Sequence, residues 1–176
     1  MAIIDVCAFN GEAELFDLRY NILSPYVDEF IVVEFDKTFS GRPKERLFPI
    51  EEALPKVKHF YIKEAQYNKY RDLALSSPNT QYGKGAEHWV REFCMKESLK
   101  DCLTHLKDDD IVFTGDCDEI WEPANNYNPK IPTKLLLRVY AYWLNNRSNE
   151  NFAGTLVTKY KWIKDKCLNH LRVLAP

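Results

Sequence analysis

Three short runs limit what this chain can fold into. "IIDVCAF" (3–9), "FIVVEF" (30–35) and "DIVFTG" (110–115) are dominated by apolar and β-branched residues. Each is too short for a helix of ordinary length, and turn residues follow it, as Asn10-Gly11 follows the first. Such runs read as buried strands. Residues 12–23 read as a helix between the first two, with Leu15, Leu18, Ile22 and Leu23 on one face. Arg19 falls within that face, and a buried guanidinium requires a carboxylate nearby. "VKHFYIK" (57–63) alternates and reads as a further strand. Residues 86–106 carry the clearest helical spacing, through Ala86, Trp89, Val90, Phe93, Leu99, Cys102, Leu103 and Leu106. "KLLLRVYAYWLN" (134–145) and "FAGTLVTKY" (152–160) read as two more strands, antiparallel to one another. Residues 36–49 and the Tyr-rich stretch 64–83 read as loops. The order β-α-β-loop-β-α-β predicts a single α/β domain over 1–176, with a mainly parallel sheet flanked by helices.

Bulk properties narrow the function. The net charge of −2 and the lack of a Lys/Arg-rich block argue against nucleic acid as a partner. No apolar stretch approaches the roughly 18 residues of a membrane-spanning helix. The opening "MAIIDVCAFNGEAELF" lacks the pattern of a signal peptide, and a cytoplasmic location is expected. Five cysteines, an odd number with no Cys-x-x-Cys pair, predict reduced and mostly buried thiols rather than disulfides or zinc ligands. Asn146-Arg147-Ser148 fits the N-glycosylation pattern, which needs a secretory route.

The chemistry concentrates in "DDDIVFTGDCDEIWEP" (108–123). A buried strand ends at Thr114-Gly115, and Asp116, Asp118 and Glu119 follow at once. Open α/β sheets bind ligands at the carboxyl ends of their strands. If the chain stays extended, Asp116 and Asp118 point to one side and Cys117 to the other. Like charges on one side call for a cation between them. All-oxygen ligands suit Mg2+ or Mn2+, which complete their shells with substrate phosphates. The plain alternative is a solvated acidic turn, the reading given to Asp108, Asp109 and Asp110.

"DIVFTGDCDEIWEP" resembles the Asp-x-Asp-Glu-Ile-Pro signature of glycosyltransferase family 17, the β-1,4-mannosyl-glycoprotein β-1,4-N-acetylglucosaminyltransferases and their microbial relatives. "DVCAFNGEAELFDLRYNIL" resembles the family's opening strand and helix, through Asp5, Phe9, Asn10, Glu14, Leu15 and Arg19. "VDEFIVVEFDKTFSGRPK" resembles its next strand and loop, "HWVREFCMKESL" the helix before the acidic strand, and "YAYWLN" (140–145) the strand after it. The signature departs at Trp121, which stands where the family has proline; Pro123 follows two positions later.

The resemblance implies a GT-A-like domain, C-terminally shortened relative to longer family members. It implies a metal-dependent inverting transfer of a sugar, N-acetylglucosamine foremost, from a UDP-sugar to a glycan hydroxyl. Asp116 and Asp118 would hold the metal. Glu119 is the nearest unassigned acid for the general base, with support of the metal ligands as its other role. Asn10, Glu34, Lys44 and Arg91 are candidates for nucleotide and phosphate contacts. Each has a structural alternative: a helix N-cap for Asn10, an ion pair with Arg19 for Glu34, and solvated charges for Lys44 and Arg91. Trp121 is an aromatic platform or a core residue. His170 or a partner chain would complete the site in place of the family's downstream histidine. Two other functions fit the same residues: a catalytically impaired nucleotide-sugar or glycan-binding module, and a metal-dependent phosphoester hydrolase. The oligomeric state is open.

Overall fold

Four parallel strands, β1 (Ile3–Phe9), β2 (Glu29–Phe35), β3 (Val57–Ile62) and β4 (Ile111–Asp116), form most of the sheet. The last two, β5 (Thr133–Tyr140) and β6 (Arg147–Lys159), pair antiparallel. The sheet order is β3-β2-β1-β4-β6-β5. β6 runs antiparallel to β4, so the sheet is mixed. The computed structural model describes residues 1–49, 54–77, 86–123, 127–140 and 146–176. The predicted strand 134–145 therefore ends, as far as it is described, at Tyr140, and the predicted strand 152–160 begins earlier, at Arg147. Among the described residues, no helix is long and apolar enough to cross a membrane.

Helices cover both faces because β1, β2 and β4 are apolar on both. Ile4, Val6, Ile31, Val33 and Val112 face the long helix α4 (Glu87–Ser98), which buries Val90, Phe93, Cys94 and Met95 against them. A 3-10 segment, Leu99–Leu103, tightens the end of α4, within the span predicted as one helix. Phe30, Val32, Cys7 and Phe9 face α1 (Ala13–Leu23). The inward face of α1 is Phe16, Arg19 and Leu23, whereas Leu15 and Ile22 point to solvent. The predicted face was thus rotated: it held Arg19 and Leu23, which are buried, but counted Leu15 and Ile22 where the helix turns the Phe16 ring inward.

Arg19 is fully buried, and the carboxylate that its burial requires is Asp5 of β1. Nε and Nη2 donate to the two Asp5 oxygens at 2.8 and 2.9 Å, a bidentate pair. Burial works against the charge, and Asp5 more than offsets it, so the guanidinium stays protonated. Glu34, the partner considered for Arg19, is occupied elsewhere.

Two further readings are corrected. Residues 64–83 are not one loop: α2 (Glu64–Tyr67), a 3-10 turn (Asn68–Tyr70) and α3 (Arg71–Leu75) pack beside α4, and 78–83 lie outside the described residues. Helices this short form through packing and leave no periodic signal. Asp110 is not solvated; it is buried and accepts from the Ala2 and Lys107 amides at 2.7 and 2.8 Å. Asp108 and Asp109 are exposed, paired with Lys164 and Lys159. All five cysteines are free thiols, and four are buried.

Removing one member of a buried bidentate pair leaves the other charge uncompensated. Arg19→Met is therefore expected to lower unfolding free energy by about 3–5 kcal/mol, measured by urea denaturation.

Candidate active site

The order in which strands are added to the sheet reverses between β1 and β4. From β1 the chain moves outward to β2 and β3, then crosses back to place β4 on the other side. Crevices at such a switch point are where open α/β sheets bind ligands. Ala8 is paired with Asp116, so the end of β1 and the acidic end of β4 lie side by side.

The strand stops at Asp116, and the chain turns. The Glu119 amide donates to the Asp116 carbonyl at 3.0 Å, and the Ile120 amide to the Asp118 carbonyl at 3.1 Å. The expectation of an extended chain through Glu119 is therefore corrected. Cys117 does point into the interior, where it clusters with Cys7 and Phe9, while Asp118 is exposed. Arg19 holds this turn from below. Its Nη1 donates to the carbonyls of Glu119, Asp116 and Cys117 at 2.9, 3.2 and 3.3 Å. Trp121 secures the exit: its indole N–H donates to Asp5 at 2.7 Å, and its ring stacks on Phe113 at 3.9 Å. Trp121 is a core residue, closed to any sugar.

Two basic side chains meet the acids. Lys96 of α4 donates to Asp116 Oδ2 at 3.1 Å and pairs with Glu92 at 2.8 Å. Arg172 lies on the last helix, α6 (Leu168–Leu174), which follows a short helix α5 (Tyr160–Lys164). It stands 3.8 Å from Asp116 Oδ1 and 3.5 Å from Glu119 Oε1. Burial would raise the Asp116 carboxyl, but Lys96 and Arg172 reverse this and hold it below the usual carboxylate range. Glu119 goes the other way. Burial raises it and Asp116 adds to the effect, while Arg172 only partly opposes them. Glu119 lies close against Gly115: a Cβ there would overlap its Oε2 and sit 2.8 Å from Thr155 Oγ1.

Asp116 Oδ1 and Arg172 Nη1 are buried and have no hydrogen-bond partner among the described residues. This acceptor and donor stand 3.8 Å apart with no hydrogen bond between them, and a ligand reaching the strand end can satisfy both. The oxygens of Asp116 and Asp118 suit a hard divalent cation. Among the described residues no three His, Cys, Asp or Glu side chains form a ready metal cluster, so a cation here would need oxygens from the substrate.

A model of glycosyltransferase family 17 matches residues 1–146. The chain belongs to that family. The β-1,4-mannosyl-glycoprotein 4-β-N-acetylglucosaminyltransferases of Rattus norvegicus and Homo sapiens are each 28% identical over 141 residues, covering 80% of this chain and 24% of theirs. The chain thus spans about a quarter of the length of these curated relatives. Among solved structures, it is similar to an active-site mutant of LgtC (TM-score 0.46, 12% identity, 96% of this chain and 61% of that one). It is also similar to apo mouse xyloside xylosyltransferase 1 (TM-score 0.41, 8% identity, 97% of this chain and 71% of that one).

The remaining candidates of this family 17 chain divide. Asn10 and Lys44 meet at the end of β1: Lys44 Nζ donates to Asn10 Oδ1 and to the Phe9 carbonyl, each at 3.2 Å. Asn10 is not a helix cap, because α1 begins at Ala13 with Glu12 as its N-cap. Burial pulls the Lys44 ammonium below its usual value, and Glu34, 3.6 Å away, opposes the shift. Glu34 itself is fully enclosed. Its carboxylate accepts from the Leu47 and Phe48 amides at 2.7 and 3.2 Å and lies 3.2 Å from His59 Nε2, so it shapes the 44–48 segment from inside. Arg91 is not brought to the acids. It donates to the Phe39 carbonyl at 3.0 Å and to Glu87 at 3.3 Å, bracing the loop after β2. His170 faces Ser77 at 3.1 Å, and Arg172, two residues on, is what α6 delivers to the site.

Sequence reading missed Lys96 and Arg172. Lys96 left a usable sign, an i,i+4 pair with Glu92 on the helix leading into β4. Arg172 left none, because its helix is short and its position is set by Glu97. That fully buried carboxylate accepts from the Leu168 and Asn169 amides at 3.1 and 3.0 Å, from Asn169 Nδ2 at 3.0 Å and from Lys100 at 2.6 Å. Burial would raise Glu97, but Lys100 and the Asn169 amide reverse this and keep it below the usual range. The stability it contributes is full above the unfolded value and is lost as pH falls through the lowered folded value. Glu97→Gln is expected to cost about 2–3 kcal/mol at neutral pH and to remove part of the acid sensitivity, read from urea melts at pH 7 and pH 4.

Proposed function

We propose that the chain transfers a sugar, N-acetylglucosamine foremost, from a UDP-sugar to a hydroxyl of a glycan, with inversion at the anomeric carbon. The observation that carries this reading is the open acidic end of β4 in a family 17 chain. There an Asp116 oxygen without a hydrogen bond, 3.8 Å from Arg172, ends the strand at the sheet's switch point, and exposed Asp118 follows two residues on. The names of the matched relatives support N-acetylglucosamine as the sugar. Asn10 and Lys44, which meet at the neighbouring strand end, would contact the nucleotide half of the donor.

Asp116 and Asp118 would hold Mn2+ or Mg2+ together with the donor's diphosphate. When bound, the ion neutralises charge on the departing UDP. Lys96 and Arg172 add fixed positive charge at the same place, which favours the leaving group more in the transition state than in the ground state. Glu119, with its raised pKa, takes the proton of the acceptor hydroxyl. The acceptor oxygen then bonds to the anomeric carbon from the face opposite the diphosphate. The bond from that carbon to the diphosphate breaks, and its electron pair leaves on UDP. Arg19 and Trp121 take no part in these steps; they keep the turn at a fixed height above the sheet.

Isothermal titration of UDP-GlcNAc into the folded chain tests the donor site. Binding is expected with Mn2+, to be lost with EDTA, and to weaken at least roughly tenfold in Asp118→Ala. Absence of binding by folded wild type with Mn2+ would defeat the reading. For the base, Glu119→Gln is expected to lower kcat by about 10^2 to 10^4 and to abolish the acid limb of the kcat/KM profile. In wild type that limb lies above the usual carboxylate range, because the base is lost as pH falls through a raised value.

A further inference from the structure

Beyond Asp116, on the side away from β1, a cavity of about 170 Å3 opens between β6 and α6. Its lining includes Glu119, Phe152, Gly154, Asn169 and Arg172. We propose that this cavity seats the acceptor's sugar ring, with Phe152 as its apolar face and Arg172 and Glu119 as its polar contacts. The proposal rests on the transferase reading and names the residues that choose the second substrate.

Four observations carry it. The first is order along the strand ends. Asn10 and Lys44 stand at β1, Asp116 at β4, and the cavity at β6. A donor laid from β1 to β4 brings its phosphates to Asp116. Inversion requires the attacking hydroxyl to arrive opposite those phosphates, which is the β6 side. The second is size. The cavity is smaller than the roughly 300–1,000 Å3 that a drug-sized ligand fills, so it suits a single ring and not a nucleotide sugar.

The third is the Phe152 ring. It is 52% exposed, although its near neighbours on β6 are buried from Gly154 onward. It lies across Gly154, where a Cβ would stand 2.8 Å from the ring and 3.0 Å from Glu119 Cδ. The glycine lets an aromatic face and a carboxylate share one small space. A ring face beside a few convergent polar groups is what a sugar, apolar on its C–H face and polar at its rim, requires. The fourth is the Arg172 Nη1 donor, buried and without a hydrogen-bond partner, on a wall of the cavity.

The test separates this site from the donor site. Methyl β-D-mannopyranoside and methyl β-D-glucopyranoside are titrated by NMR into folded wild type, Phe152→Ala, Val173→Trp and the off-cavity control Leu15→Ala. Phe152, Val173 and Leu15 are exposed, so each variant is expected to fold, which circular dichroism checks. At least one sugar is expected to bind wild type and Leu15→Ala. Phe152→Ala is expected to weaken binding by roughly fivefold or more, and Val173→Trp, which adds bulk at the cavity wall, to abolish it. UDP-GlcNAc binding is expected to stay unchanged in both. Equal sugar binding in wild type and both cavity variants would overturn the proposal, as would no binding of either sugar to wild type. If the sugar binds through Phe152 while UDP-GlcNAc does not bind at all, the transferase reading falls and the sugar cavity stands.

Discussion

A guanidinium shut away from water holds the acidic end of β4 in place. Arg19 gives two of its donors to Asp5 and a third to carbonyls of the turn that carries Asp116, Cys117 and Glu119. Asp5 lies in the middle of β1, so the turn is tied to the centre of the sheet and not to its rim. Trp121 closes the same knot by donating to Asp5. A charge buried at this depth is an expensive way to fix a loop, and hydrophobic packing of equal volume is often at least as stable. What packing lacks is direction. A fork of N–H donors determines where three carbonyls sit, and through them where the acid side chains emerge.

Much of this fold is visible in the chain. The mostly apolar runs 3–9, 30–35 and 110–115 are central strands because only a two-sided core accepts them. The need for a carboxylate beside Arg19 followed from the cost of burying it alone. Its identity did not, because Asp5 lies within an apolar run and looked like part of the strand pattern. The face of α1 was read correctly at Arg19 and Leu23 and misread at Leu15 and Ile22, which are exposed while Phe16 turns inward.

The acidic cluster was legible as a place and less so as a geometry. Its position after a buried strand marked it, but a turn starting at Asp116 cannot be seen in an alternation rule that assumes an extended chain. Lys96 and Arg172 escaped notice because they reach the site from separate elements, one before β4 and one at the far end of the chain. Glu34 and Arg91 show the converse. Both have the chemistry of a ligand contact, and both are occupied with backbone amides, carbonyls and neighbouring side chains that shape the loop after β2.

The pairing of Asp116 with Lys96 and Arg172 has a consequence for the order of events at the site. On the transferase reading, a divalent ion arriving alone would meet the carboxylates but also two fixed cations. A diphosphate arriving alone would meet those cations but also the carboxylates. Brought together, each would offset what opposes the other. Affinity for the ion and affinity for the diphosphate would then be linked, and by reciprocity each would raise the other by the same factor. Such a site would act as a coincidence detector, responding to the ion–nucleotide complex more than to either component.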